Sequence, residues 1–447
     1  MRMEKGAAKV AVESSELHRT LGPLMLWGLG VGYVISGMYF GWNLGLAEGG
    51  PFGFLAATLV VTLMYVAFVL SYSELACMMP RSGGAFVYAT RALGPKAGLV
   101  TGIAQLIEFV FAPPAIAAAI GAYVTLFLPS LNPMVVAVAA YILFTALNIW
   151  GVKQSAIFEL VIAVIAVAEL LIFAGVAGGS FTFEKFSKNP LPHGWWGAFA
   201  AIPYAIWFYL AIEGVANVAE EAKNPQKDLS WGFSSSMATL VVLALLTLFA
   251  SVGVQGWEAV VFKPGTVTPS DSPLPLALAH VVGEGHVMYH LLIGIGVFGL
   301  IASFHGIILV AGRATFELGR SGFAPAILGN VHSTRKTPAW ALLFNLVLGC
   351  VALASGKTGE IIILAVFGAL TLYIVSMTSL LKLRKTEPET ARPYRVPLFP
   401  YVPLTALVLA VICAVSMVVS QPTLAAVYAV LLGASYFGLG RFAAAKK

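Results

Sequence analysis

Of the chain's 447 residues, 59% are apolar and only 10% are charged, against roughly 25% charged in an ordinary soluble domain. So little polar surface excludes a water-soluble globule of this size. The net charge of +6 is scattered over short loops, which makes it a topology signal and sets a nucleic-acid partner aside.

Residues 1–20 carry seven charges and are predicted to be a cytoplasmic segment rather than a cleaved signal peptide. Apolar runs long enough to cross roughly 30 Å of hydrocarbon then recur at residues 22–47, 52–79, 97–126, 134–149, 157–177, 196–219, 231–255, 291–314, 339–354, 361–381, 402–419 and 424–442. The expected fold class is therefore an all-α integral membrane protein of about twelve transmembrane helices. With the N-terminus inside, only Lys185, Lys188, Lys263 and Lys357 of the 26 Lys and Arg residues fall outside. Because positive loops stay cytoplasmic, this places both termini in the cytoplasm, the expected location being the cytoplasmic (inner) membrane.

In lipid every backbone polar group must be paired, so an interrupted helix is tolerated only where it lines a cavity or is buried in protein. Span one reads WGLGVGYVISGMYFGWNLG, with six glycines from Gly28 to Gly45 and with Ser36, Gly37 and Met38 near its middle. Glycine costs about 1 kcal/mol against alanine inside a helix, so unwinding is expected at Ser36 to Met38. Span six holds Pro203, Gly214 and, near its centre, Glu213; a carboxylate at that depth needs a partner, water or a ligand. Glu108 in span three and Glu169 in span five are further intramembrane acids. Spans one and six head two five-span halves, as in an inverted repeat with a midplane site between broken helices. The expected division is 21–178 and 179–385 for the repeats, 386–442 for helices 11 and 12, and 443–447 for a cytoplasmic tail.

Beyond the spans, the chain carries SYSELACMMPRSGGAFVYATRALGP, LNIWGVKQSA, AEEAKNPQKD, ASFHGIILVAGRATFELGRSGFAP and ARPYRVPLFPYVP in that order. These blocks resemble the amino acid, polyamine and organocation permeases over residues 22–442, and FYLAIEGVANVAEEAKNP resembles the ethanolamine permease branch. The resemblance implies ten core helices in two inverted repeats plus two more, and alternating access to a site between spans one, three, six and eight. It puts freed amides near Ser36, Gly37 and Met38. Proton-coupled members carry a span-five lysine where this chain has Ala166. Ser303 and His305 in span eight lie near the positions that sodium-coupled relatives use. Lys153, Glu74, Glu220, Glu221 and Arg313 fall at cytoplasmic helix ends, where ion pairing and gate closure are expected.

The first half-helix of a broken span ends in unpaired carbonyls, a negative pole suited to ammonium, and Glu213 adds a full charge. No Lys or Arg lies at the midplane of any span. The expected substrate is thus ethanolamine or a similar small amine, with Ser36, Gly37, Met38, Tyr39, Glu108, Trp207, Tyr209 and Glu213 as binding residues. Tyr39, Trp207 and Tyr209 offer cation-π contact as well as ordinary packing. Glu169, Ser303 and His305 are the coupling or gating candidates.

The alternatives are a permease for neutral or cationic amino acids and, from another class, a channel or a binding-only receptor. GLGVG at Gly28 lacks a strand-to-helix context, and SGKT at Ser355 has Val351 where a phosphate loop needs glycine. His280, Glu284, His286 and His290 do not have metalloprotease spacing, and Cys77, Cys350 and Cys413 stand singly in apolar stretches as small hydrophobes. An enzyme is not expected, nor a cofactor or metal. Membrane lipid is the other partner, and proton or sodium coupling and the oligomeric state stay open.

Overall fold

A computed structural model describes residues 19–151 and 155–444; Lys153, a gating candidate, lies outside the described residues. The described chain is helical, with two isolated bridges, Leu21 to Ala222 and Phe262 to Pro269, and no extended strand. Ten helices are long and apolar enough to span a membrane. The shorter apolar Pro23–Tyr39 and Ala339–Leu353 complete the expected twelve.

In chain order, α1 (Pro23–Val34) and α2 (Ser36–Tyr39) form the first part of span one. The helix α3 (Asn43–Met78) bends at Gly50 (φ 62°), so its first residues finish span one and the rest is span two. A short α4 (Ala85–Leu93) leads to α5 (Pro95–Phe127), α6 (Pro133–Trp150) and α7 (Ser155–Gly178) as spans three to five. After α8 (Phe183–Phe186), span six is assembled from α9 (Gly194–Ala200), α10 (Ile202–Trp207) and a 3₁₀ segment (Ile212–Glu221). Span seven is α11 (Pro225–Gln255); α12 (Glu258–Val261) and α13 (Pro273–Val282) follow it. Spans eight to twelve are α14 (Val287–Arg320), α15 (Ala339–Leu353), α16 (Thr358–Thr386), α17 (Tyr401–Ser420) and α18 (Pro422–Ala444).

Burial separates the spans. The interrupted span six is wholly enclosed and α5 nearly so, whereas α6 and α18 turn most of their apolar surface outward, as a lipid-facing helix must. α5 packs along α16 and α14, and α1 along α11 and α7.

One buried ion cluster fastens the Leu21-bearing end, called the N-terminal face below. Glu74 on α3 has no exposed surface and accepts two hydrogen bonds from Arg384 on α16, at 2.6 and 2.7 Å. Arg392 lies 3.2 Å away, and the Val396 amide donates to the same carboxylate at 2.8 Å. Removing one partner of such a cluster leaves buried charge uncompensated, which costs about 3 to 5 kcal/mol. Glu74→Ala is expected to lower the thermal midpoint of the detergent-solubilised protein by that equivalent; a midpoint equal to wild type would show that the cluster contributes no stability.

Candidate functional site

Span one breaks later than its glycine content suggested. Ser36 to Tyr39 are helical, set off from α1 by a turn at Ile35, and the chain leaves helical geometry at Phe40 (φ −161°) and Gly41 (φ 86°). The expected unwinding at Ser36 to Met38 is therefore corrected to Phe40 and Gly41. The physical reason is packing: six glycines make the whole span weak, and of these Gly41 is the one that adopts the positive φ that side chains resist. Gly37 serves close approach instead, since a methyl group there would collide with the Trp207 carbonyl and stand 3.2 Å from Phe208 Cα.

The carbonyls around the break find side-chain donors. Trp42 Nε1 donates to the Met38 carbonyl at 3.0 Å, Tyr123 Oη to that of Tyr39 at 2.8 Å, and Ser303 Oγ to that of Tyr33 at 2.7 Å.

Span six breaks at Phe208 to Ala211, away from both Pro203, which merely starts α10, and Gly214. Ala211 takes φ 77°, a left-handed conformation that costs a side-chain-bearing residue on the order of 1 kcal/mol or more. Glu213 follows at once, 1% exposed, and its Oε2 accepts from Tyr373 Oη at 3.0 Å. Tyr373 in turn shares a 3.0 Å hydrogen bond with Tyr65. Tyr209 bonds Thr62 at 2.7 Å and packs on Tyr65 with ring centres 5.2 Å apart.

Glu108 on α5, with no exposed surface, faces the Glu213 carboxyl and the Ala211 backbone. Neither Glu108 oxygen nor Glu213 Oε1 makes a well-formed hydrogen bond to protein among the described residues, although the Ala211 and Glu213 backbone amides lie nearby. The fold thus brings Glu108 and Glu213, two separately named binding candidates, together on the side of spans two, three and ten. Ser36 and Tyr39 look elsewhere: Ser36 Oγ bonds Ser303 Oγ at 2.8 Å, and Tyr39 Oη donates to Glu169 Oε2 at 2.6 Å. Met38 is buried in the core, and Trp207 packs edge-on against Phe40, its indole N–H unpartnered.

The sequence matches the amino acid permease family over residues 21–436. The chain belongs to that family. An uncharacterized transporter of Rhizobium meliloti is 29% identical over 89% of this chain and 85% of its own. A Bacillus subtilis methylthioribose transporter is 26% identical over 88% and 87%, and a branched-chain amino acid permease of the same organism 25% over 88% and 87%. The protein is accordingly a membrane transporter of small molecules and not an enzyme.

His305 brings in a residue that the sequence reading missed. Its Nδ1 lies 3.0 Å from Oε1 of Glu159 on α7, both side chains buried. The sequence carries no signal for it, because exposed positions of α7 such as Ile157, Val161 and Ile165 are as apolar as the buried ones; only the structure shows Glu159, Ala163, Ala166, Leu170, Phe173 and Ala177 on one inward stripe. Glu159 therefore shares the face of Ala166, two turns away.

The two faces of the permease differ. On the N-terminal face Leu21 exchanges backbone hydrogen bonds with Glu221 and Lys223, Arg313 pairs with Glu221 at 2.7 Å, and Glu220 accepts from the Ser82 amide. On the opposite face a cavity of about 560 Å³ is bounded by Asn132, Lys263, Asp271, Glu284, Tyr289 and Lys357, among others. Much of its wall comes from the segment between α11 and α14, which forms a cap over it. Burial raises the Asp271 carboxyl above its ordinary range, against the opposing hydrogen bond from Thr358. Asn43 ties the span-one break to this cap through the Ser270 carbonyl at 2.9 Å.

The carboxyl pair makes a stability prediction. Glu108→Gln supplies an amide donor to the orphaned Glu213 oxygen, and a neutral hydrogen bond contributes about 0.5 to 1.5 kcal/mol. The thermal midpoint of substrate-free protein is expected to rise accordingly. A fall of the same size would mean that the two carboxyls are already satisfied by a shared proton.

Proposed function

We propose that this permease is a secondary transporter that takes up ethanolamine, or a similar small cationic amine, across the cytoplasmic membrane by alternating access, with both termini cytoplasmic. The observation that carries the reading is the Glu108–Glu213 pair: two buried carboxyl groups at the broken span six, with four oxygens and one side-chain donor, Tyr373. Like charges at contact disfavour each other's ionised form, so the pair shares a proton and keeps one negative charge, which a bound cation balances. An ammonium group brings three donors and one positive charge. The unpartnered Trp207 N–H at the same break gives a hydroxyl oxygen its donor. The resemblance of the Glu213 block to ethanolamine permeases supports the same substrate class.

A second reading has its own support, because one relative is named a branched-chain amino acid permease. An α-amino acid needs a site for its carboxylate, and the two buried acids repel one unless backbone amides at the breaks outweigh them.

Competition separates these readings. Labelled ethanolamine uptake into proteoliposomes is expected to be inhibited by unlabelled ethanolamine and not by alanine, leucine or arginine. If leucine or alanine competes better than ethanolamine, the permease carries amino acids and Glu213 has another task. Glu213→Gln removes a charge-assisted contact of about 1.5 to 3 kcal/mol, so ethanolamine affinity is expected to drop by roughly ten- to hundredfold. Affinity unchanged in a folded variant would take Glu213 out of the site.

A further inference from the structure

Away from the Glu108–Glu213 pair, the interface of α1, α7 and α14 carries a column of polar side chains through an otherwise apolar bundle. Tyr39 and Glu169 stand nearest the opposite face, hydrogen-bonded at 2.6 Å. They line a small hollow that shares Pro275 with the 560 Å³ cavity. Ser36 and Ser303 follow at 2.8 Å. Glu159 and His305 come next, 3.0 Å apart. Glu159 is ten residues before Glu169, or about 15 Å along a helix.

We propose that the Glu159–His305 pair is the proton-binding site through which this transporter couples substrate movement to a proton gradient. The inference rests on the transporter reading above and deepens it by naming the coupling ion.

Three observations carry it. First, the pair is buried yet incompletely bonded: Glu159 Oε2 has no partner among the described residues, while Oε1 faces the imidazole. One proton shared between a carboxylate and an imidazole makes a pair of zero net charge, and removing it leaves one negative charge in a low-dielectric interior. The proton arrives at and leaves from oxygen or nitrogen already present, with no other bond made or broken.

Second, the pair touches the interrupted span. A methyl group at Gly32 on α1 would stand 3.2 Å from Glu159 Oε2, and the Tyr33 ring packs against Gly306, next to His305. Any displacement of α1 therefore changes the surroundings of Glu159. Third, the groups suit a proton better than a metal ion. The Ser303 hydroxyl is already spent on Ser36 and the Tyr33 carbonyl.

Among the described residues, the further ionisable group near Glu159 is Tyr33 on α1, which in turn lies near Arg313 on α14 and Glu221 at the end of the 3₁₀ segment. α6 contributes Asn148, whose Nδ2 donates to the His305 carbonyl at 3.4 Å, and α11 contributes Ser236 beside Gly30; both are uncharged. Tyr33 lies near both Glu159 and the Arg313–Glu221 pair of the N-terminal face.

The test uses the full chain in proteoliposomes with a pH-sensitive dye in the lumen, with ethanolamine and, separately, alanine as added substrate. At one proton per substrate, an inward gradient of one pH unit drives accumulation of about tenfold, and adding substrate acidifies the lumen. Glu159→Gln and His305→Gln are each expected to lose gradient-driven accumulation, acidification and the dependence of uptake on external pH. Exchange of labelled for unlabelled substrate, which needs no net proton movement, is expected to persist. Glu159→Asp, which keeps a carboxyl group, is expected to restore part of the acidification and covers the case in which a Gln variant misfolds. Acidification that survives in a folded Gln variant overturns the proposal, as does accumulation driven by a sodium gradient alone. If alanine rather than ethanolamine acidifies the lumen, the amine reading fails, and the same variants judge the proton pair with alanine.

Discussion

Hydrocarbon offers no hydrogen bonds, and this constraint governs the rest of the structure. A helix that breaks inside a membrane must have its freed carbonyls taken by protein, because each unsatisfied group costs several kcal/mol. Here two donors come from distant parts of the chain, Tyr123 on span three and Ser303 on span eight, and a third, Trp42, lies within the broken span itself. The break therefore acts as a junction. Span one cannot move without exchanging partners on two other spans, which ties its geometry to theirs in discrete steps.

The same constraint sorts the acids. Glu169 and Glu159 each have a neighbour that can share or supply a proton, Tyr39 and His305. Glu108 and Glu213 have mainly each other, with Tyr373 as the one side-chain donor. An acid beside an imidazole is neutral once the pair holds one shared proton, whereas two acids in contact that share one proton keep a negative charge, which a bound cation balances. The two clusters lie on different sides of the broken helices, one against α3, α5 and α16 and the other against α7 and α14. For the function proposed above, substrate and coupling proton have separate sites, and the interrupted spans are what both sites touch.

The number of spans was legible in the sequence because the thickness of hydrocarbon sets a length that composition alone reveals. That spans one and six are interrupted was legible too, but the place was not. Six glycines from Gly28 to Gly45 weaken the helix evenly, and the residue that turns is chosen by what packs on it. Gly37 lies against the Trp207 carbonyl and stays helical, while Gly41 takes the left-handed turn. Likewise nothing local marks Ala211 as left-handed; contacts of the whole span impose that conformation. Glu108 and Glu213 were recognisable one at a time as intramembrane acids, yet their contact, 105 positions apart in the chain, needed the fold. Glu159 escaped because it sits near the start of its span, where a carboxylate reads as an interfacial residue; only the burial of its helix face shows that it points inward.

Burial also distinguishes what can move from what cannot. Glu74, wholly buried between Arg384 and Arg392, belongs to a cluster whose rupture leaves charge in a dry interior. The Arg313–Glu221 pair, by contrast, keeps 24% and 21% of its side chains exposed. Water replaces such a contact readily, and partly exposed ion pairs contribute about 0 to 1 kcal/mol. Beside it, the Leu21 bridge consists of two backbone hydrogen bonds at the surface end of the bundle. The N-terminal face is therefore held by contacts that separate at little cost, while α3 and α16 are locked to each other a short distance away. For the alternating access proposed above, opening at this face needs such a division: a weak seal on the broken spans, and a rigid frame from which they swing. The placement of the charges meets that requirement without any hinge of special composition.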